Sequence, residues 1–198
     1  MSDPPLYSLA LMPKRLGYPL YRPSPPSDLP EHVRRSGTQI GDVGVVCSDG
    51  SFDPIFNICR TENDPANRFG VPISFAPLVV RPEDIRTQVQ FHPPGSVISN
   101  VIETRKLFKD HGQPDAVVED STNSKQRALL LLPDGASSWD LHRSHTFRDF
   151  ALKHAQNWYA FVNDTLQRMV GSSDLYLVTG VTKCASWRIT TVDNCSNS

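Results

Sequence analysis

Residues 41–59 read GDVGVVCSDGSFDPIFNIC, two apolar runs on either side of an Asp-Gly pair. GDVGVVC is typical of a strand, and FDPIFNIC predicts a second strand. Asp49-Gly50 predicts a hairpin turn between them, because glycine readily adopts the positive φ that such turns need. Pro54 has no backbone N–H to donate, so the second strand is expected at a sheet edge or at a bulge. The buried face of that strand is predicted to carry Phe52, Phe56 and Ile58.

Further apolar runs on both sides of a polar middle section predict more strands. IRTQVQFH is the clearest, because its apolar residues alternate with polar ones before a His-Pro-Pro-Gly turn. The other predicted strands are SFAPLVV (74–80), SVISNVIE (96–103), RALLLL (127–132), DLYLVTGV (174–181) and SWRITTV (186–192), with a short apolar run AVVED (116–120).

One long amphipathic helix is predicted over residues 144–169, where apolar residues recur every three or four positions. Ser144 or Thr146 is expected to cap it, with Asp149 completing a capping box, and Gly171 to stop it. The predicted apolar face consists of Phe147, Phe150, Ala151, His154, Ala155, Trp158, Phe161, Val162, Leu166 and Met169.

These elements indicate the α+β class: a mostly antiparallel sheet with one long amphipathic helix packed on it. Residues 1–36 hold eight of the chain's 17 prolines, so we expect an arm with neither a regular helix nor a central strand. Its Tyr and Leu residues predict that it packs on the body, a single domain spanning residues 37–198.

The composition excludes some classes of protein. A formal net charge of −1 argues against a nucleic-acid binder and gives no attraction to an anionic membrane. No apolar run is long enough to span a bilayer, and the N-terminus lacks the basic start of a signal peptide. We therefore expect a soluble cytoplasmic protein with reduced cysteines and no stable membrane insertion.

The densest ionisable cluster is formed by Asp140, His142 and His145. Two imidazoles and a carboxylate within six residues can ligate a metal or exchange protons, so a metal-assisted hydrolase is one hypothesis. The alternative is a polar approach to the helix. No nucleotide-binding, serine-hydrolase or zinc-protease motif is present, so whether the chain is an enzyme stays open, and no cofactor is indicated.

Other candidates have simpler structural explanations. His154 beside Trp158 fits a core position, and Cys59 beside Arg60 fits a buried, inert thiol better than an activated thiolate. The acidic stretch QPDAVVED (113–120) followed by Lys125 lacks the Glu-x-Lys spacing of metal-dependent nucleases.

A binding or regulatory module is the favoured hypothesis, with a protein or a small molecule as its ligand. Its contact residues are predicted to be the large aromatics Trp139, Trp158, Tyr159 and Trp187. A further hypothesis is that two chains exchange their Pro-rich arms and so form a homodimer. A third hypothesis, a membrane-acting defence protein, needs the long helix to leave the fold.

Several motifs, in order along nearly the whole chain, resemble an uncharacterised family of proteins from mushroom-forming (basidiomycete) fungi. The resemblance implies one complete module and a fungal origin, without a mechanism, and it implies a short form, since members of that family continue into further strand-rich sequence. The motifs are GYPLYRP (17–23), IGDVGVVCSDGSFDPIFNIC (40–59), NRFGVP (67–72), LLLPDGAS (130–137), FRDFALKHAQNWYAFVN (147–163) and DLYLVTGVTKCASW (174–187).

Overall fold

The computed structural model describes residues 4–27, 29–100 and 126–193. The helices in these ranges are α1 (Pro4–Leu11), α2 (Glu31–Ser36) and α3 (Ser144–Ala160), and α3 runs on into a π-helical turn, Phe161–Thr165. The strands are β1 (Asp42–Val46), β2 (Phe52–Asn57), β3 (Ile85–His92), β4 (Ser96–Ser99), β5 (Gln126–Leu132), β6 (Ala136–Leu141), β7 (Leu175–Leu177), β8 (Gly180–Lys183) and β9 (Arg188–Asp193).

All strand pairs among the described residues are antiparallel, and they form three sheets of three strands. The strand orders are β2-β1-β7, β3-β6-β8 and β4-β5-β9. The α+β class is therefore confirmed, with the strands divided among three sheets. The last three strands each complete a different sheet.

The hairpin predicted from Asp49-Gly50 is confirmed. Val46 pairs with Phe52, and Gly50 has φ +79°. The carboxylate of Asp49 accepts hydrogen bonds from the backbone N–H of Ser51 at 3.0 Å and from its hydroxyl at 2.6 Å. The turn is thus held by its own side chains, which explains why a short local pattern predicted it.

A bulge at Pro54 shapes the buried face of β2, as expected for a proline within a strand. Gly44 pairs with Pro54 and Val43 with Phe56, which leaves Ile55 as the extra residue. Ile55 and Phe56 are both fully buried, because a bulge can turn two successive side chains to one side. β2 is also the edge strand of its sheet. The period-two prediction missed Ile55 because the bulge interrupts the alternation.

The main core lies between α3 and the sheet β2-β1-β7. The ring of Phe56 makes edge-on contacts with Trp158 at 5.9 Å and with Phe161 at 5.8 Å between centroids. Burying each such side chain contributes about 1.5–3 kcal/mol. The buried members of this core are Val43, Ile55, Phe56, Ile58, Phe147, Trp158, Phe161 and Val162.

The ends of α3 differ from the prediction. Arg143 occupies the N-cap position without a side-chain cap, so the capping by Ser144 or Thr146 was wrong. The helical segment ends at Thr165, well before Gly171, because positive φ at Gln167 and Met169 turns the chain away. Asn163 closes this end through its side chain, which accepts from the N–H of Val170 at 2.7 Å and donates to its carbonyl at 3.1 Å.

Two residues of the predicted apolar face of α3 lie outside the core. Ala155 is exposed, and Met169 is 91% exposed beyond the end of the helix. His154 is half-buried, and its ring lies against Phe150 at 4.4 Å. The other residues of that face are buried or half-buried.

The arm contains helices, so the expectation of an irregular arm was wrong. Pro4 and Pro5 occupy the first turn of α1, where a missing N–H costs nothing and the fixed φ suits a helix. α1 packs on β5: Tyr7, Leu11 and Ala128 form a second buried cluster. Further along the arm, the N–H of Arg22 donates to the carbonyl of Gly50 at 3.0 Å.

Three strand predictions need correction. Residues 74–80 form no strand: Pro77 interrupts them, and the N–H of Leu78 bonds instead to the carbonyl of Ile58. β3 exists, but a register shift with positive φ at Gln90 leaves Val89 and Phe91 exposed.

The third correction concerns residues 136–193, where β6 was missed and DLYLVTGV was predicted as one strand. The structure divides that segment between β7, which pairs with β1, and β8, which pairs with β6. β9 pairs with β5, so the last two predicted strands do not pair with each other. The predicted run AVVED lies outside the described residues. No helix of the described ranges has the length and apolar character that crossing a membrane requires.

Candidate ligand-binding site

A cleft of about 760 Å³ lies between the arm and the segment that contains β7 and β8. Residues 176–184 line one side of it, and arm residues 15–18, 20, 23–25 and 34–36 line the other together with Gly37 and Thr38. Cavities of 300–1,000 Å³ are typical of ligand sites in proteins. The cleft has the size of such a site, and its lining decides which ligand it suits.

Among the described residues, basic side chains outnumber acidic ones in the lining: Arg15, Arg34, Arg35 and Lys183 against Asp140. Arg35 forms an exposed ion pair with Glu31 at 2.6 Å. Neither Arg15 nor Arg34 has an acidic partner among the described residues. The cleft is therefore positively charged although the whole chain is not, and it favours an anionic ligand.

Lys183 joins the two sides of the cleft, since its Nζ donates to the carbonyl of Ser36 at 2.5 Å. Burial lowers the pKa of Lys183, and the charge of Asp42 opposes that shift. A lysine held in this way links the end of α2 to β8, which fixes the position of the arm beside the strand.

Asp42 is not among the lining residues of the cleft and belongs to a hydrogen-bond network of its own. Its carboxylate accepts from the N–H of Gln39 at 2.7 Å and from the side-chain amide of Asn57 at 2.7 Å. Burial raises its pKa to about 6, although both hydrogen bonds act in the opposite direction. Because every oxygen has an intramolecular partner, the network positions the start of β1.

A buried hydroxyl also belongs to the cleft lining. Ser138 on β6 is 2% exposed, and its Oγ has no hydrogen-bond partner among the described residues. An unsatisfied buried polar group costs about 1–3 kcal/mol. A ligand that hydrogen-bonds to this hydroxyl would remove the cost, so the unsatisfied group is consistent with a binding site.

Aromatic rings line the cleft together with the basic groups. Tyr18 on the arm contacts Tyr176 at 5.9 Å between centroids, across the cleft. Phe52, Phe91 and Trp187 complete the aromatic lining among the described residues. Aromatic and cationic groups together suit a ligand that has both a flat or apolar part and negative charge.

The four predicted contact residues differ in exposure and do not share one surface. Trp187 lines the cleft and is half-buried, and Tyr159 on α3 is 38% exposed. Trp139 is half-buried on β6. Trp158 is buried against Phe56 in the main core, so it is not available at the surface of the folded chain.

The three predicted catalytic residues do not lie in one site. Asp140 is exposed and lines the cleft, and its carboxylate lies so close to Gly180 that a Cβ there would be 2.2 Å from Oδ1. His142 and His145 are exposed and lie outside the cleft lining. No group of three or more His, Cys, Asp or Glu positioned to hold a metal occurs within the described ranges. The hydrolase stays a prediction.

The Cys59 thiol behaves as the inert alternative expects. Burial raises its pKa to about 12, against the opposing effect of Arg60, so it stays protonated at neutral pH. The acidic stretch 113–120, Lys125 and Cys195 lie outside the described residues.

The basic side of the cleft was missed at the level of sequence. The signal was present but weak: the first 36 residues hold five basic and three acidic side chains, while the chain as a whole is slightly negative. Arg34, Arg35 and Lys183 come together only through the fold. No protein-family model, no curated protein and no solved structure matches the chain.

Proposed function

We propose that this protein is a binding module that holds an anionic ligand in the cleft between its N-terminal arm and β7–β8. The observation that carries the proposal is the excess of basic over acidic side chains in a cleft of ligand-sized volume. The hydroxyl of Ser138, which has no hydrogen-bond partner among the described residues, and the rings of Tyr18, Tyr176 and Trp187 support it.

We further propose that the module works in the cytoplasm, as expected for a chain whose Cys47, Cys59 and Cys184 carry free thiols. The kinship with the basidiomycete family, arm exchange between two chains and a membrane-acting role stay predictions. The membrane-acting role has less support, because the apolar face of α3 packs in the core.

Binding of phenyl phosphate, an aromatic dianion, tests the proposal, with phenol as the uncharged control. Arg34→Glu places a negative charge in the cleft at an exposed position of α2. Arg148→Glu makes the same change on the exposed side of α3, away from the cleft. Isothermal titration should show that R34E weakens binding by roughly tenfold or more, the equivalent of about 1.4 kcal/mol, and that R148E does not.

Salt supplies a second criterion, since partly exposed charges are screened: affinity should fall when ionic strength rises from about 0.05 to 0.5 M. Equal binding of phenol and phenyl phosphate, equal effects of the two variants, or no binding of phenyl phosphate at all would refute the proposal.

A further inference from the structure

β8 is an edge strand whose outer side borders the cleft. It pairs with β6 on one side, and no described strand pairs with the other. All four of its residues line the cleft, with Gly37 and Thr38, which directly follow the arm, also in the lining. The cleft therefore occupies the place where a further strand would lie.

The pairing register shows which backbone groups face outward. The N–H of Leu141 donates to the carbonyl of Thr179, and the residues after Thr179 continue the same antiparallel register with β6. Backbone groups of successive residues alternate in direction along a strand, so Val181 points to β6. Gly180 and Thr182 therefore direct their N–H and C=O away from β6, where no described residue hydrogen-bonds to them.

The edge strand β2 provides a contrast. It carries Pro54 and a bulge, both of which discourage pairing with another chain. β8 has neither a proline nor a bulge, and Gly180 adds no side chain that would obstruct a partner. Within the described ranges, the free edge at β8 is thus protected by the arm across the cleft.

Charge identifies the partner. Arg15, Arg34 and Arg35 stand on the arm side of the cleft, and Lys183 ends β8. A second strand added to β8 would pass between these groups, so acidic side chains on it would be favoured and basic ones repelled. The hydroxyl of Ser138, whose register partner on β8 is Thr182, lies on the adjoining strand as a donor.

We propose that the cleft binds an extended acidic segment of another protein, which adds to β8 as a strand. This inference rests on the proposed function, since it names the class of anionic ligand for the same cleft. In this mode backbone hydrogen bonds to Gly180 and Thr182 supply affinity, and the basic arm supplies selectivity.

The probe is a fluorescein-labelled octapeptide of alternating Glu and Val, compared with its Lys-Val counterpart and with a version N-methylated at alternate residues. N-methylation removes the donors along one edge of the peptide and leaves its charge unchanged. Fluorescence anisotropy should show binding of the Glu-Val peptide, at least tenfold weaker binding of the Lys-Val peptide, and roughly tenfold weaker binding of the N-methylated peptide.

On the protein side, Thr182→Pro removes an outward N–H that β6 does not use, and Thr182→Ala is its control. T182P should lose roughly tenfold in affinity and T182A less than about twofold. If T182P does not fold, as judged by circular dichroism, the N-methylated peptide tests the same hydrogen bonds on the unchanged protein.

The outcomes separate the two proposals. Glu-Val binding that is insensitive to N-methylation overturns strand addition, as does equal binding of the Lys-Val peptide. If phenyl phosphate binds and the Glu-Val peptide does not, the anionic cleft stands and the inference fails. If neither probe binds, both proposals fail.

Discussion

Replacing Asp42 by Asn should change how stability depends on pH, by an amount that follows from its burial. Asp42 is 5% exposed, and burial raises its pKa from 3.8 to about 6. The folded state then binds the proton more tightly than the unfolded state. Protonation of Asp42 thus adds stability that is fully present below about pH 4 and is lost as pH rises through about 6. A shift of roughly two pKa units corresponds to about 3 kcal/mol.

The quantity to measure is the free energy of unfolding of D42N minus that of the wild type, from urea titrations between about pH 4 and 8. The subtraction removes the titration of all other groups and any pH-independent loss of the hydrogen bonds to Gln39 and Asn57. The difference should rise in favour of D42N by about 2 kcal/mol over this range, slightly less than the full shift because Asp42 is partly ionised in the unfolded chain at pH 4.

Asp149→Asn is the matched control, since Asp149 is an exposed residue of α3. Its difference from the wild type should stay within about 0.5 kcal/mol at every pH, as expected for a surface substitution. A D42N difference that is equally flat would show that the carboxylate is not desolvated as described. A difference that moves in the opposite direction would show that the hydrogen bonds outweigh burial.

Three further outcomes are expected. Gly44→Ala should lower the free energy of unfolding in urea by about 1–3 kcal/mol, because the new Cβ would lie 2.3 Å from the carbonyl oxygen of Asp53; an unchanged midpoint would contradict this contact. Tyr7→Ala should cost about 3 kcal/mol and make the arm sensitive to proteolysis, since Tyr7 is 1% exposed, and a wild-type digestion pattern would count against an integral arm. Cys59 should react with iodoacetamide at pH 8 far more slowly in the folded protein than in urea, because burial raises its pKa to about 12. Peptide mass spectrometry measures the two rates, and equal rates would show that the thiol is not kept protonated by the fold.

Features that depend on neighbouring residues could be predicted from the sequence. The hairpin at Asp49-Gly50 is stabilised by its own turn, and the bulge at Pro54 follows from the missing N–H. The long helix was predicted from its apolar spacing, although its ends were not, because backbone turns at Gln167 and Met169 leave no mark in that pattern. α1 was missed because proline was treated as incompatible with a helix, although it is favoured in the first turn.

Features that depend on distant pairing could not be predicted. DLYLVTGV has the pattern of one strand, but its two halves pair with β1 and β6, and no local property of the segment specifies either partner. β6 was missed because ASSWDL is too polar to be recognised as a strand. The candidate site combines arm residues such as Arg34 with residues such as Lys183 far along the chain, and an open strand edge has no sequence signature.

The order of the strands has a consequence for synthesis on the ribosome. Each of the three described sheets receives its third strand from residues 175–193, so none is complete until the last part of this sequence has been made. A chain that emerges from the N-terminus first therefore exposes β1, β5 and β6 as open edges from the time each is made until residues 175–193 follow. A premature stop codon before residue 175 would leave all three edges unpaired at once, and the product should aggregate rather than persist as a partly folded fragment.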